Sequence, residues 1–315
     1  MGLFDVFKKK KPEPSKRPPP RPLPRPGGPQ PDPQVENNFI IVILDSLRYD
    51  SYMAAAPKVI GKLGKVEKRY SYASWTAPSH YNFLTGLLPH TSPQNVYASE
   101  YYKEDFYNYN ERLGTKGIEF AKMVPGLWLP GLLRNTLGMS THARVSLPVL
   151  NPKTGINRDF DSFKLMDSHN DMAAILPTMK FDSGRPEFYL LNIGETHYPY
   201  AKPDEDSSEW PRISGVNGVF RKMNEQIGDP DDPDFKEEFK FFDQDKLDQL
   251  RERQIDTVRY LDGVFEQLYD MVPKNTHIVV TADHGELFGE MGYFGHGPIM
   301  HDKCFEVPYL EGKIR

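Results

Sequence analysis

The 315-residue sequence predicts an α/β domain, a three-layer sandwich with a mostly parallel central sheet, behind an N-terminal arm that cannot pack. Three apolar runs of strand length, a long helical periodicity between the last two, and a proline-dense start carry that expectation. A continuous apolar run suits a parallel strand covered on both faces, whereas a half-exposed strand alternates.

The arm covers residues 1–37. Met1 to Lys11 sets Leu3, Phe4, Val6 and Phe7 ahead of four lysines, a short apolar-then-basic segment suited to an anionic membrane surface. Val6 stands where the myristoylation pattern after Gly2 has Ser or Thr, so that pattern is incomplete. From Pro12 to Pro33 eleven prolines are interleaved with Lys16, Arg17, Arg21 and Arg25. Such a composition favours an extended polyproline II tether. The arm is therefore expected to be disordered and to reach a membrane surface or an acidic face of a larger assembly.

The domain covers residues 38–315. Its first run is Phe39–Leu44, closed by Asp45; the second is Glu187–Asn192 and the third His277–Ala282. Between the last two, Leu247, Leu250, Ile255, Val258, Leu261, Val264, Phe265 and Leu268 recur at helical spacing within Lys246–Met271. Strand, helix and strand thus alternate, as in α/β architectures. Sites in open α/β sheets form beyond the carboxyl ends of the strands, where Asp45, Gly194–Tyr200 and Asp283 fall. Ala201–Phe242 is acidic and turn-rich, broken by Gly228, Pro230 and Pro233, and reads as a surface excursion over the site.

Charge and cysteine usage narrow the function classes. The formal net charge is -5, yet residues 1–37 hold eight Lys/Arg against four Asp/Glu, which leaves about -9 on the domain. An acidic domain argues against nucleic acid as the main partner. Cys304 is the single cysteine, so no intrachain disulfide forms and a reducing compartment fits. No run has the length of a secretory signal core or a membrane span. The expected location is the cytoplasm, peripheral to a membrane where the arm engages one.

Four local patterns carry chemistry. Leu44-Asp-Ser-Leu-Arg-Tyr-Asp50 sets a carboxylate at a strand end. Ser74-Trp-Thr-Ala-Pro-Ser-His80, followed by Thr85-Gly86, reads as a helix start with Pro78 in the first turn. Thr76 then lies where helix N–H groups and the dipole favour negative charge. Glu195-Thr-His-Tyr-Pro-Tyr200 is the third pattern. Thr281-Ala-Asp-His-Gly-Glu286, with His296 twelve residues after His284, is the fourth.

In this order the four blocks resemble the sulfatase and alkaline phosphatase superfamily over roughly residues 38–310. Thr76-Ala-Pro-Ser-His80 with Thr85-Gly86 is similar to the sulfatase signature Cys/Ser-x-Pro-x-Arg with Thr-Gly, and Ala282-Asp-His-Gly-Glu286 to the Ser-Asp-His-Gly-Glu block. The resemblance implies an alkaline-phosphatase-like fold, metal ligands at Asp45, Asp283 and His284, and Thr76 as both nucleophile and ligand. It is similar in this to the phosphoethanolamine and phosphoglycerol transferases, which also use threonine. It further implies that His197 and His296 serve as catalytic and substrate-binding groups, and that His80, also expected to bind substrate, stands in place of the arginine that helps fix the nucleophile and its metal. Two carboxylates, an imidazole and a hydroxyl suit Zn²⁺ or Mn²⁺, and Ca²⁺ or Mg²⁺ less well.

Three departures shape the expected activity. Ser46 stands where many sulfatases have a second aspartate, His80 replaces the arginine, and Thr76 cannot become formylglycine. The sequence therefore points to a metal-dependent hydrolase or transferase of phosphate esters, less to one of sulfate esters, through a covalent Thr76 intermediate. Its substrate would be a small-molecule or lipid-linked phosphoester. The alternative is a catalytically inactive subunit that keeps the fold and is tethered by its arm.

Overall fold

The computed structural model describes residues 30–92, 110–116, 127–206 and 243–313. Its centre is a seven-stranded sheet in the order β2-β9-β6-β1-β5-β3-β4. The strands are β1 (Asn38–Leu44), β2 (Glu67–Tyr70), β3 (Ser140–Val145), β4 (Ser162–Leu165), β5 (Glu187–Ile193), β6 (Thr276–Thr281) and β9 (Glu306–Lys313). A small antiparallel pair, β7 (Leu287–Phe288) with β8 (Phe294–Gly295), stands apart from it. β4, β3, β5, β1 and β6 run parallel, and β9 and β2 add an antiparallel edge. The expected mostly parallel α/β sheet is present.

Both faces of the sheet are covered, which explains the unbroken apolar runs. Side chains alternate across a strand: Ile40, Val42 and Leu44 point to one face with Tyr189, Leu191, Ile278 and Val280. Helix α5 (Gln244–Met271) lies on that face through Ile255, Val258, Leu261 and Phe265, as do α1 (Tyr49–Ala55) through Tyr52 and α4 (Met172–Ile175) through Met172 and Ile175. Phe39, Ile41, Ile43, Phe188, Leu190 and Val279 point the other way, against Phe83 and Leu84 of α2 (Thr76–Leu84) and Leu129 and Leu133 of α3 (Leu129–Asn135). Each such side chain loses about 2–5 kcal/mol when truncated to alanine. The 28-residue α5 starts at Asp243, whose carboxylate accepts from the Asp245 N–H, a cap worth on the order of 1 kcal/mol.

The three expected strands are β1, β5 and β6, and they are neighbours. β3 was hidden by its sequence, Ser-Thr-His-Ala-Arg-Val, because its polar side chains find buried partners. His142 meets Glu187 at 2.8 Å and Ser162 at 2.7 Å, and the Arg144 guanidinium donates to Thr178 Oγ1 at 2.9 Å.

Residues 1–29 of the expected arm lie outside the described residues, as do 207–242 of the expected excursion over the site. Residues 30–37 are placed against the domain. The Gln34 N–H donates to Leu137 O at 2.9 Å, the Glu36 N–H to Leu113 O at 3.1 Å, and Val35 is buried. Among the described residues, no helix is long and apolar enough to cross a membrane.

Candidate metal centre and active site

Sheet register brings the first carboxylates together. Ile43 of β1 pairs with Asn192 of β5 on one side and Thr281 of β6 on the other, so Asp45 and Asp283 leave adjacent strands two residues later. Ser46 turns the chain just beyond β1 with a left-handed φ of 61°. Its N–H donates to Asp283 Oδ1 at 3.0 Å, and its hydroxyl donates to Asp45 Oδ1 at 3.1 Å. Where a second aspartate was absent, a serine orients both carboxylates instead.

Asp45, Asp283 and His284 each offer a ligand atom, all within 4.8 Å of one another, and all three are buried. His284 Nδ1 faces its neighbour's carbonyl, Gly285 O, at 2.8 Å. As a donor there it leaves the Nε2 lone pair for the cluster. Nε2 lies 3.4 Å from Asp283 Oδ2 and 3.9 Å from Asp45 Oδ1. Gly285 follows His284 because a Cβ there would overlap the Lys303 carbonyl oxygen.

Helix α2 delivers the threonine. Trp75 is extended, Thr76 is the first helical residue, and the helix runs nine residues. Thr76 Oγ1 stands 3.2 Å from His284 Nε2 and 3.4 Å from Asp45 Oδ1. The hydroxyls of Ser71 and Ser79 both donate to the Asp283 carbonyl, fixing the helix start against the end of β6.

Burial and neighbours set the protonation pattern. Burial pushes the Asp283 carboxyl well above its usual range, and the Asp45 carboxylate adds to this. Burial also opposes ionisation of Asp45, but His197, His284 and His80 together with the Asn192 amide outweigh it and hold Asp45 below its ordinary value. Burial and His296 hold the His284 imidazole far below its ordinary value. Two buried carboxyls side by side cannot both ionise unless a cation compensates them. Asp283 Oδ2 is buried without a hydrogen-bond partner among the described residues. A divalent cation fits this donor set.

His197 and His296 stand beside the cluster. The His296 ring lies 4.3 Å from that of His284 and 5.3 Å from that of His197. Its Nδ1 meets Glu286 Oε1 at 3.0 Å, while the Tyr200 hydroxyl donates to Glu286 Oε2. Burial lowers the affinity of His296 for a proton, but Glu286 outweighs it and raises His296 above its ordinary value. His197 Nδ1 faces Tyr198 O at 2.9 Å. His80 differs from these half-buried imidazoles: it is fully buried, with Nδ1 2.9 Å from Thr76 O and 3.6 Å from Asp283 Oδ2. Its contacts support the first turn of α2 and the Asp283 carboxyl.

Sequence reasoning did not single out Asn192, which donates to Asp45 Oδ2 at 2.7 Å, or Thr196, whose hydroxyl donates to Asp45 O at 2.8 Å. The signal for Asn192 was its place as the polar end of the second apolar run.

The comparisons with known proteins bear on the family and the fold. The Sulfatase family profile matches residues 143–310, more than half of the chain. That match contains Asp283, His284, His197 and His296, while Asp45 and Thr76 precede it. No curated protein matches the chain in sequence. The fold is similar to the C-terminal periplasmic domain of EcEptC from Escherichia coli, solved in complex with Zn. The TM-score is 0.51 at 10% identity, over 89% of this chain and 74% of that one. It is also similar to a 2-O GAG sulfatase at TM-score 0.53 and 14% identity, over 89% of this chain and 65% of that one. A protein in the alkaline phosphatase superfamily from Vibrio parahaemolyticus aligns at TM-score 0.49 and 15% identity, over 90% and 61%. With the Asp-His-Gly block at the end of β6 inside a profile match that covers more than half of the chain, the chain belongs to the Sulfatase family.

Proposed function

We propose that the chain is a metal-dependent phosphoester hydrolase or transferase with Thr76 as nucleophile. One observation carries the reading: the Thr76 hydroxyl, at a helix N-terminus, points at the three-ligand cluster of Asp45, Asp283 and His284. Zn²⁺ or Mn²⁺ would be held by these residues together with Thr76. Such a cation lowers the pKa of a bound hydroxyl and offsets the charge of an anionic ester.

This chain's own groups do the rest. Thr76 Oγ1 releases its proton to solvent and attacks phosphorus as the bond to the departing alkoxide breaks, and the helix N-terminus favours the negative charge that gathers there. His296, held by Glu286, carries a proton suited to the departing alkoxide, and His197 beside it contacts the phosphoryl oxygens. The phosphorylated Thr76 then passes its group to water or to an acceptor alcohol. Small-molecule and lipid-linked phosphoesters both suit this chemistry.

Supplied with Zn²⁺ or Mn²⁺, the protein should turn over aryl phosphate or phosphodiester faster than aryl sulfate, because Thr76 cannot become formylglycine. Sulfate release that survives Thr76→Ala would overturn the reading.

A further inference from the structure

The buried face of α5 is apolar except for Gln254 and Thr257. Thr257 bonds within its own helix, to Gln254 O at 2.8 Å. Gln254 reaches out of it. Its amide nitrogen donates to Ser46 O at 3.0 Å and to Thr196 O at 3.1 Å, with the side chain fully buried. Both neighbours are carbonyl oxygens, so the NH₂ rather than the amide oxygen must face them. The oxygen Oε1 is left buried without a hydrogen-bond partner among the described residues.

Those two carbonyls belong to the turns that carry the site. Ser46 orients Asp45 and Asp283 through its hydroxyl and N–H, and Thr196 holds the Asp45 carbonyl while His197 follows it. The turns after β1 and β5 come from distant parts of the chain, and one amide spans both. Other α5 side chains touch the site's loops singly: Gln244 bonds Phe288 O at 3.1 Å, and Arg253 Nε reaches Pro199 O at 3.5 Å. A side chain chosen only for packing would be apolar here and would leave no orphaned oxygen.

We propose that Gln254 is a positioning residue for the metal centre. It clamps the turns after β1 and β5 to α5, so that Asp45 and Asp283 keep the separation a shared cation needs. It touches neither substrate nor ligand atoms, and it acts through Ser46 and Thr196. The inference rests on the metal reading above only for its functional consequence. The clamp itself is testable in metal-free protein.

The test compares the full chain with Gln254→Met, which keeps length and volume but removes both donors, and with Val264→Ala, a core truncation further along the same helix. Two quantities are read: amide hydrogen exchange without metal, and Zn²⁺ dissociation constants by chelator competition. Gln254→Met should speed exchange in peptides covering residues 44–48 and 194–198, and should weaken Zn²⁺ about tenfold, as loss of an outer-shell partner does. Val264→Ala should lower the thermal midpoint while leaving exchange in those peptides and Zn²⁺ affinity unchanged. Unaltered exchange in the two turns of Gln254→Met overturns the clamp, and faster exchange with unchanged Zn²⁺ affinity overturns its role at the metal centre. A wild-type chain that binds no Zn²⁺ overturns the metal reading instead, and the exchange data still decide whether the clamp exists.

Discussion

Two groups of charges lie side by side at the carboxyl edge of the sheet and follow opposite rules. In the ionic network of Arg48, Asp50, Glu290 and Lys303, each charge meets an opposite one. Arg48 donates to Asp50 at 2.8 and 2.6 Å and to Glu290 at 2.6 Å, and Lys303 Nζ lies 3.1 Å from Asp50. In the metal centre, two carboxyls, a hydroxyl and a neutral imidazole face one another, and one carboxylate oxygen has no partner among the described residues. The network is built to persist as it stands, while the centre leaves carboxyl charge for the proposed cation to compensate. Compensation of buried charge by neighbouring side chains stabilises a fold, and compensation reserved for a ligand makes a site.

The largest expected effect comes from removing the proposed nucleophile or a proposed ligand. Thr76→Ala should lower turnover of an aryl phosphate by about a thousandfold or more, with the fold intact. Asp283→Ala should do the same and also lose bound metal, as elemental analysis would show. If Asp283→Ala retained stoichiometric metal, the two regions would not differ in the way described.

pH separates the regions next. Burial raises Glu195, behind the centre, to about 7 from its ordinary 4.5. Its protonated form therefore belongs to the fold: the stability it contributes is complete below about pH 4.5 and lost as pH rises through about 7. The shift corresponds to roughly 3 kcal/mol. Glu195→Gln should flatten the fall in thermal midpoint between about pH 5 and 8. Asp50 runs the other way. Burial opposes its charge, but Arg48 and Lys303 outweigh this and hold it below its ordinary 3.8, so its contribution is present above about pH 4 and disappears in acid.

Asp50→Asn should cost about 2 kcal/mol at neutral pH, because it weakens the partners of the buried Arg48 guanidinium. Zn²⁺ affinity should stay within a factor of about two. A large loss of affinity would mean that the network and the centre act as one unit.

The smallest effect concerns the start of the chain. Deleting residues 1–29 should leave the thermal midpoint and metal content unchanged and remove salt-sensitive sedimentation with anionic vesicles, to which each lysine contributes about 1 kcal/mol. Deleting residues 1–36 should lower the midpoint as well, because Gln34, Val35 and Glu36 pack on the domain.

What could be read from residues alone was whatever rests on local pattern. Unbroken apolar runs marked β1, β5 and β6 because strands buried on both faces have no polar side to show. The helical period marked α5, and Asp45, Thr76, Asp283 and His284 stood out because they sit at the start or just past the end of an element, within short motifs. β3 stayed hidden because its polar side chains are satisfied by Ser162, Thr178 and Glu187, which no short window along the chain contains. Only the tertiary structure decided that β5, β1 and β6 lie in that order with their ends level, and so that Asp45 and Asp283 meet. It also decided the parts of Ser46, Asn192, Thr196 and Gln254. Each of them acts through one or two hydrogen bonds to a residue far away in sequence, and a bond of that kind is a property of the assembled sheet and its helices, not of any segment within them.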